Sequence, residues 1–189
     1  MDSLDLLRRT VDQTDAIVQS LDDADLTRQT PCAEWKVRDL INHITGGATM
    51  FAISAEQGSV PDDEIGRLMG GDNLGDDFKG AWKVASQRAL AAFEQPGVMD
   101  RMVTLPFGEM PAGVALNIAV FDVATHAVDL ATATGRQVAD DDLLEAALAM
   151  GKQMIGPEFR APGVFDAEQP CADDAPVQQR LLAFAGRKI

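Results

Sequence analysis

The sequence predicts an all-α fold, an up-and-down four-helix bundle with an additional helix and a C-terminal tail, residues 1–189 forming one domain. Three observations carry that expectation. Apolar residues recur at helical spacing in four long segments, glycine and proline collect between them, and no convincing run of alternating residues marks a sheet. A chain of 189 residues is also long enough to bury a core without disulfides.

The first helix is read over residues 4–21, where Leu4, Leu7, Val11, Val18 and Leu21 make one apolar stripe. Thr30-Pro31 is a start signal, a capping residue followed by a proline where the first helical N–H lacks a partner anyway. From there Val37, Leu40, Ile41, Ile44 and Phe51 mark a buried face running to about Glu56. Residues 57–75 are rich in glycine and acid with little periodicity, and predict a mobile loop, with a lid as the alternative. A third helix is expected to begin at Asp76 or Asp77, whose carboxylates suit the positive end of a helix dipole. It turns Phe78, Trp82, Ala85, Ala89 and Phe93 inward.

Between Gln95 and Ala112 the breakers Pro96, Gly97, Pro106, Gly108 and Pro111 predict a connection with one short extended piece at Met102 to Leu105. Residues 113–133 are the most apolar helix and belong at the centre, closed by Gly135. A further helix starts at Asp140 to Asp142 and carries Leu144, Ala147, Leu148 and Met154. Beyond Gly156 the chain reads as an irregular tail ending in a short helix with Val177, Leu181 and Phe184 on one face.

Thirty acidic residues against sixteen basic ones give a formal charge of -14. That charge opposes binding to phosphate backbones, so neither nucleic acid nor an anionic membrane is expected as a partner. The N-terminus lacks the long apolar region of a signal peptide or a spanning helix, which places the protein in the cytoplasm. Cys32 and Cys171 stand far apart without a CxxC or CxxH partner, and predict two free thiols in a reducing compartment.

The chain has two histidines, both on predicted apolar helices. Asp122 and His126 are four positions apart, which on a helix sets their side chains one turn apart on the same face. His43 lies at the edge of the second helix's apolar stripe, where it can complete a set across the bundle. Two imidazoles and one carboxylate leave a coordination position for water or substrate, as catalytic metal sites do. The other reading is a pair of hydrogen-bonded core histidines with Asp122 paired to an arginine, and spacing alone leaves both open.

Asp129 follows His126 by three and either orients a ligand imidazole through its second N–H or pairs with a basic neighbour such as Arg136. Cys32 falls in the predicted first turn of the second helix, where the dipole lowers a thiol pKa, although a small buried cysteine is the favoured reading. Trp35 reads as a packing anchor rather than a stacking platform. Glu34, Glu56 and Glu109 are acid-base candidates only in being carboxylates near expected site edges. Dinucleotide, P-loop, hydrolase-elbow and zincin motifs are absent from the sequence.

The segment TPCAEWKVRDLINHITGG, residues 30–47, resembles the signature of the mycothiol-dependent maleylpyruvate isomerase N-terminal family, within the DinB/YfiT-like metalloprotein superfamily. DVATHAVDLATATGR, residues 122–136, resembles that family's acid-x3-His-x2-Asp-Leu-Ala helix. The tail from Arg160 through RLLAFAGR, residues 180–187, is similar to short actinobacterial metal-binding members. The resemblance implies a DinB-like four-helix bundle with a metal held by His43, Asp122 and His126. Zinc is the default ion, with nickel, iron and manganese open.

Two departures limit what is carried over. The isomerase has an extra C-terminal domain that contributes to activity, whereas this chain ends soon after the bundle, which argues against maleylpyruvate isomerisation itself. The acid of the second motif is glutamate in the isomerase and the shorter Asp122 here. The implied function is a metalloenzyme that activates a low-molecular-weight thiol, mycothiol, toward an electrophilic substrate in a transferase or isomerase reaction. A metal-dependent hydrolase and a non-catalytic metal or small-ligand binding protein are the alternatives, and a homodimer is left open.

Overall fold

Each helix follows from an apolar stripe and an identifiable end. The computed structural model describes residues 2–33, 35–160 and 166–188. Helix α1 (Ser3–Ser20) buries Leu6, Leu7, Val11, Ile17 and Val18. On the same face Thr10 and Thr14 return their hydroxyl protons to the carbonyls of Leu6 and Thr10, at 2.8 Å each, so the polar atoms are satisfied inside the apolar seam. Helix α2 (Val37–Gln57) closes on Gly58 at φ 85°, where a side chain would be strained. Helix α4 (Phe78–Phe93), after the short α3 (Asp62–Gly70), is capped by Asp77, which accepts the Gly80 N–H at 2.9 Å. A hairpin of β1 (Met102–Leu105) and β2 (Gly108–Pro111) leads into α5 (Ala112–Thr134). Helix α6 (Asp141–Met154) and helix α7 (Val177–Phe184) complete the chain.

The expected four-helix bundle consists of α1, α2, α4 and α5, each packed on two of the others in the cyclic order α1, α4, α2, α5. Ion pairs and hydrogen bonds between helices fix the directions. Arg8 meets Glu94, and Lys79 meets the Gln19 carbonyl, so α1 and α4 run oppositely. Arg38 bonds to Gly75 before α4 and Arg88 pairs with Glu56, so α2 and α4 run the same way, a departure from the strict up-and-down order that was expected. The connection through α3 is long enough to return the chain to the same end. Among the buried core residues Trp82, Leu116 and Leu130 are essentially inaccessible. Burying a large apolar side chain contributes roughly 1.5–3 kcal/mol. Helix α5 has the length and hydropathy of a membrane span, yet most of it is buried inside the bundle.

The structure corrects three local expectations. The second helix begins at Val37, not at Thr30-Pro31, because the backbone before it is engaged in a tight turn: Thr30 N–H bonds to Trp35 O at 3.2 Å and Val37 N–H to Arg28 O at 3.0 Å. The Lys36 N–H then donates to Asp39 Oδ2 at 2.9 Å, which is the cap the helix uses. Residues 57–75 are not a loop or lid but contain α3, which starts after Pro61 with Asp62, Asp63 and Glu64 in its first turn. The turn after it is tied to α2, Asn73 N–H donating to Asn42 Oδ1 at 2.7 Å and Asn42 Nδ2 to Gly71 O at 3.0 Å. Between Gln95 and Ala112 the extended piece at Met102–Leu105 is joined by a second strand that the breakers concealed.

Asp25 joins the loop after α1 to the end of α5. It accepts from Arg136 Nη2 at 3.0 Å and pairs with Arg28 Nε at 3.0 Å. Burial would raise its carboxyl, but the Asp22 N–H and the two guanidinium groups outweigh that and hold it below the usual carboxylate range. A lowered folded value means that the charge stabilises the fold above the unfolded pKa of about 4, and that this is lost as pH falls through the folded value. Asp25→Asn should therefore cost about 1–2 kcal/mol at pH 7, with the gap to wild type narrowing below about pH 4. Denaturant unfolding at both pH values checks this; a pH-independent gap would show that shape, not charge, holds the loop.

Candidate metal centre

Helices α2 and α5 bring the predicted residues together. His43 lies in the second turn of α2, and Asp122 and His126 occupy successive turns of one face of α5. Asp122 Oδ1 is 3.6 Å from His43 Nε2 and 3.6 Å from His126 Nε2. These spacings are longer than ordinary hydrogen bonds. They are close to the edge of a ligand tetrahedron, about 3.3–3.4 Å for bonds of 2.0–2.1 Å to a central ion. One ligand atom from each of His43, Asp122 and His126 lies within 4.8 Å of the others, a grouping that could hold a single ion. The His126 side chain is 7 % exposed, that of Asp122 27 % and that of His43 36 %, so the group is walled on the His126 side and open on the other. Gly47 stands beside the opening, where even an added Cβ would come no nearer than 3.8 Å to Asp122.

The wall is built from Asp129, Trp35, Cys32 and Arg187. Asp129 Oδ2 lies 3.0 Å from His126 Nδ1. An ionised carboxylate only accepts, so Nδ1 carries the proton and Nε2 faces Asp122 and His43. Asp129 orients His126, as the three-residue spacing allowed, but its basic partner is Arg187 and not Arg136: Arg187 Nη2 donates to Oδ2 at 3.1 Å. Arg136 is taken by Asp25 and the Ser20 carbonyl. Trp35 lies with its ring centroid 4.5 Å from that of His43 and 5.9 Å from that of His126. It packs, as expected, but its packing surface is the two imidazoles. Cys32 is in the turn before α2, not in its first turn, and its thiol donates to Asp129 Oδ2 at 3.3 Å.

Electrostatics separates the acids from the thiol. Burial would raise Asp122, but the facing imidazoles of His43 and His126 and the nearby Arg187 hold it below the usual carboxylate range. Asp129 is likewise held low against its burial by His126 and Arg187. Burial and then the Asp129 charge push the Cys32 thiol well above its ordinary value, with Arg187 offsetting only part. The dipole effect read from the sequence is absent because Cys32 lies outside the helix. Cys32 is a protonated donor here, and both it and Cys171 are free thiols.

Of the other acids, Glu56 is thirteen residues along α2 from His43, about 20 Å at 1.5 Å per residue, and pairs with Arg88. Glu109 is exposed on β2 opposite Thr104. Neither reaches the site, and Glu34 lies outside the described residues. The residue that sequence reading missed is Arg187, whose contact spans 58 positions and has no local periodic signal.

Comparison with known proteins identifies the family, and the matched span contains His43, Asp122 and His126. The family model described as the mycothiol maleylpyruvate isomerase N-terminal domain matches residues 7–131. Two uncharacterized proteins of Mycobacterium tuberculosis, from strains CDC 1551 / Oshkosh and ATCC 25618 / H37Rv, are each 34% identical over 191 residues, spanning all of both chains. Crystal structures of a mycothiol-dependent maleylpyruvate isomerase and of a histidine-to-alanine mutant of it share the fold, with TM-scores of 0.60 and 0.63 at 20% identity. These matches cover 78% of this chain and 65% of the isomerase chains, so just under two thirds of the isomerase's length has a counterpart here.

Proposed function

The chain belongs to the mycothiol maleylpyruvate isomerase N-terminal domain family, and on that premise we propose that it is a cytoplasmic thiol-dependent metalloenzyme. In this reading residues 1–189 form one metal-binding domain in which His43, Asp122 and His126 hold one divalent ion, zinc by default. The substrate pair is a low-molecular-weight thiol, mycothiol in the first instance, and an electrophile, in a transferase or isomerase reaction.

The observation that carries the reading is the convergence of three ligand atoms within 4.8 Å of one another, with Asp122 Oδ1 3.6 Å from each imidazole Nε2 and one side open to solvent. A bound ion would supply Lewis acidity, deprotonating a coordinated thiol at neutral pH. The residues around it do the rest. Asp129 fixes the His126 ring, Trp35 closes the back of both imidazoles against water, and the exposed edge between His43 and Asp122 is the way in for substrate. Cys32 does not serve as the nucleophile, since its proton is held by burial and by Asp129. In this reading the reactive thiol is the external one.

The test is turnover by the metal-loaded protein across a panel of electrophiles, with and without mycothiol. Thiol-dependent product formation is expected, falling more than about 100-fold in His43→Ala, since loss of a direct ligand exceeds the 10–100-fold effect of its outer partners. Product formed equally well without thiol would make the protein a hydrolase. Metal binding with no turnover on any electrophile would leave a binding protein and sink the proposal.

A further inference from the structure

We propose that Arg187, in the C-terminal tail, is a positioning residue of the metal centre, acting through Asp129 to hold His126 in its ligating orientation. The inference rests on the metal reading above. Arg187 lies outside residues 7–131, so the family match assigns it no role.

The tail is folded back by a helix end that only glycine fits well. At the end of α7, Gly186 has φ +84°, its N–H bonds to Ala183 O at 3.0 Å, and the Arg187 N–H bonds to Leu182 O at 2.9 Å. These two bonds make the paired cap that reverses a chain after a helix. A Cβ on Gly186 would also meet Asp166 at 2.8 Å. The reversal sends Arg187 toward α5, where its side chain is 13 % exposed and its Nη1 is pinned by Ala185 O at 2.8 Å.

What it meets is a carboxylate with no access to water. The Asp129 side chain is 0 % exposed, and its Oδ2 receives His126 Nδ1 at 3.0 Å, Arg187 Nη2 at 3.1 Å and Cys32 Sγ at 3.3 Å. Arg187 Nε lies 3.4 Å from both carboxylate oxygens, so the guanidinium spans the group and sets its plane. Cys32, His126 and Asp129 also have the spacing of a metal triad. The guanidinium already supplies the cation there, and a second ion would be repelled by it. The cluster is thus a support for the first site: Arg187 fixes Asp129, Asp129 fixes Nδ1 of His126, and Nε2 is left aimed at Asp122 and His43. Partners of this kind are worth 10–100-fold in metal affinity.

The experiment measures the zinc dissociation constant of the full-length protein by competition with a chromophoric chelator, below the thermal transition of every variant. Arg187→Ala should weaken zinc about tenfold or more. Arg187→Lys should recover little of it, because an ammonium cannot span the carboxylate. Gly186→Ala keeps every site residue but disturbs the cap that turns Arg187 toward Asp129, and should weaken zinc in the same direction. Combining Arg187→Ala with Asp129→Asn should be no worse than Asp129→Asn alone, since both act along one path. A lower melting temperature with wild-type zinc affinity, or additive losses in the double variant, would overturn the proposal. Wild-type protein that binds no zinc would overturn this inference and the metal reading together, whereas tight wild-type binding with an unaffected Arg187→Ala would overturn this inference alone.

Discussion

Replacing His126 by alanine should reduce the metal content of the purified protein from stoichiometric to none. His43 and Asp122 would remain, but they sit on different helices with side chains 36 % and 27 % exposed, and two ligands facing water hold such an ion poorly. The fold should survive. His126 gives up one hydrogen bond to Asp129, which keeps Arg187 and Cys32 as partners, so the loss in stability is about 1–3 kcal/mol. The bundle's apolar seams do not pass through the ion. Metal analysis of wild type and variant purified without chelator, with thermal unfolding of both, separates the two effects. Equal metal content would mean that the ligand assignment is wrong.

Both the bundle and the meeting of His43, Asp122 and His126 were legible because each depends on periodicity within a helix. Asp122 and His126 face the same way wherever a helix puts positions i and i+4, and the chain offers only one further histidine. The parts that were not legible depend on contacts between distant segments. Thr30-Pro31 has the composition of a helix start, yet the Thr30 hydroxyl donates to Trp35 O at 2.8 Å and Cys32 O at 3.1 Å, which commits it to the turn instead. Helix α3 was hidden by the glycines around it, although Pro61 followed by three acids was a usable signal. Its place on α2 depends on Asn42 and Asn73, thirty-one residues apart, and on Gly46, where a Cβ would lie 2.5 Å from Leu68 O. No window of sequence predicts that Asp129 takes its charge partner from Arg187 rather than the nearer Arg136, because the choice is made by the way α7 docks.

That docking gives the other large effect expected here. Gly151 of α6 is buried, and a Cβ built on it would lie 2.4 and 2.7 Å from ring carbons of Phe121 and 2.8 Å from Phe184. Phe121 directly precedes Asp122 on α5, Phe184 ends α7 three residues before Arg187, and their rings meet edge to face at 6.0 Å. The bare helix surface at Gly151 therefore lets both rings close against α6, which registers the tail on the helix that carries Asp122 and His126. Alanine would gain about 1 kcal/mol in helix propensity over glycine. Forcing two nearly inaccessible rings apart costs about 1–3 kcal/mol for one added carbon, and more for a branched side chain. Gly151→Ala should thus lose up to about 2 kcal/mol net, and Gly151→Val more than about 3 kcal/mol, read from denaturant unfolding. Gly66, inside α3 with nothing within 4 Å of an added Cβ, is the control, and Gly66→Ala should gain up to about 1 kcal/mol. Gains of equal size at both glycines would show that the Phe121 and Phe184 rings give way freely. The site would then have to hold Arg187 by the α7 cap alone.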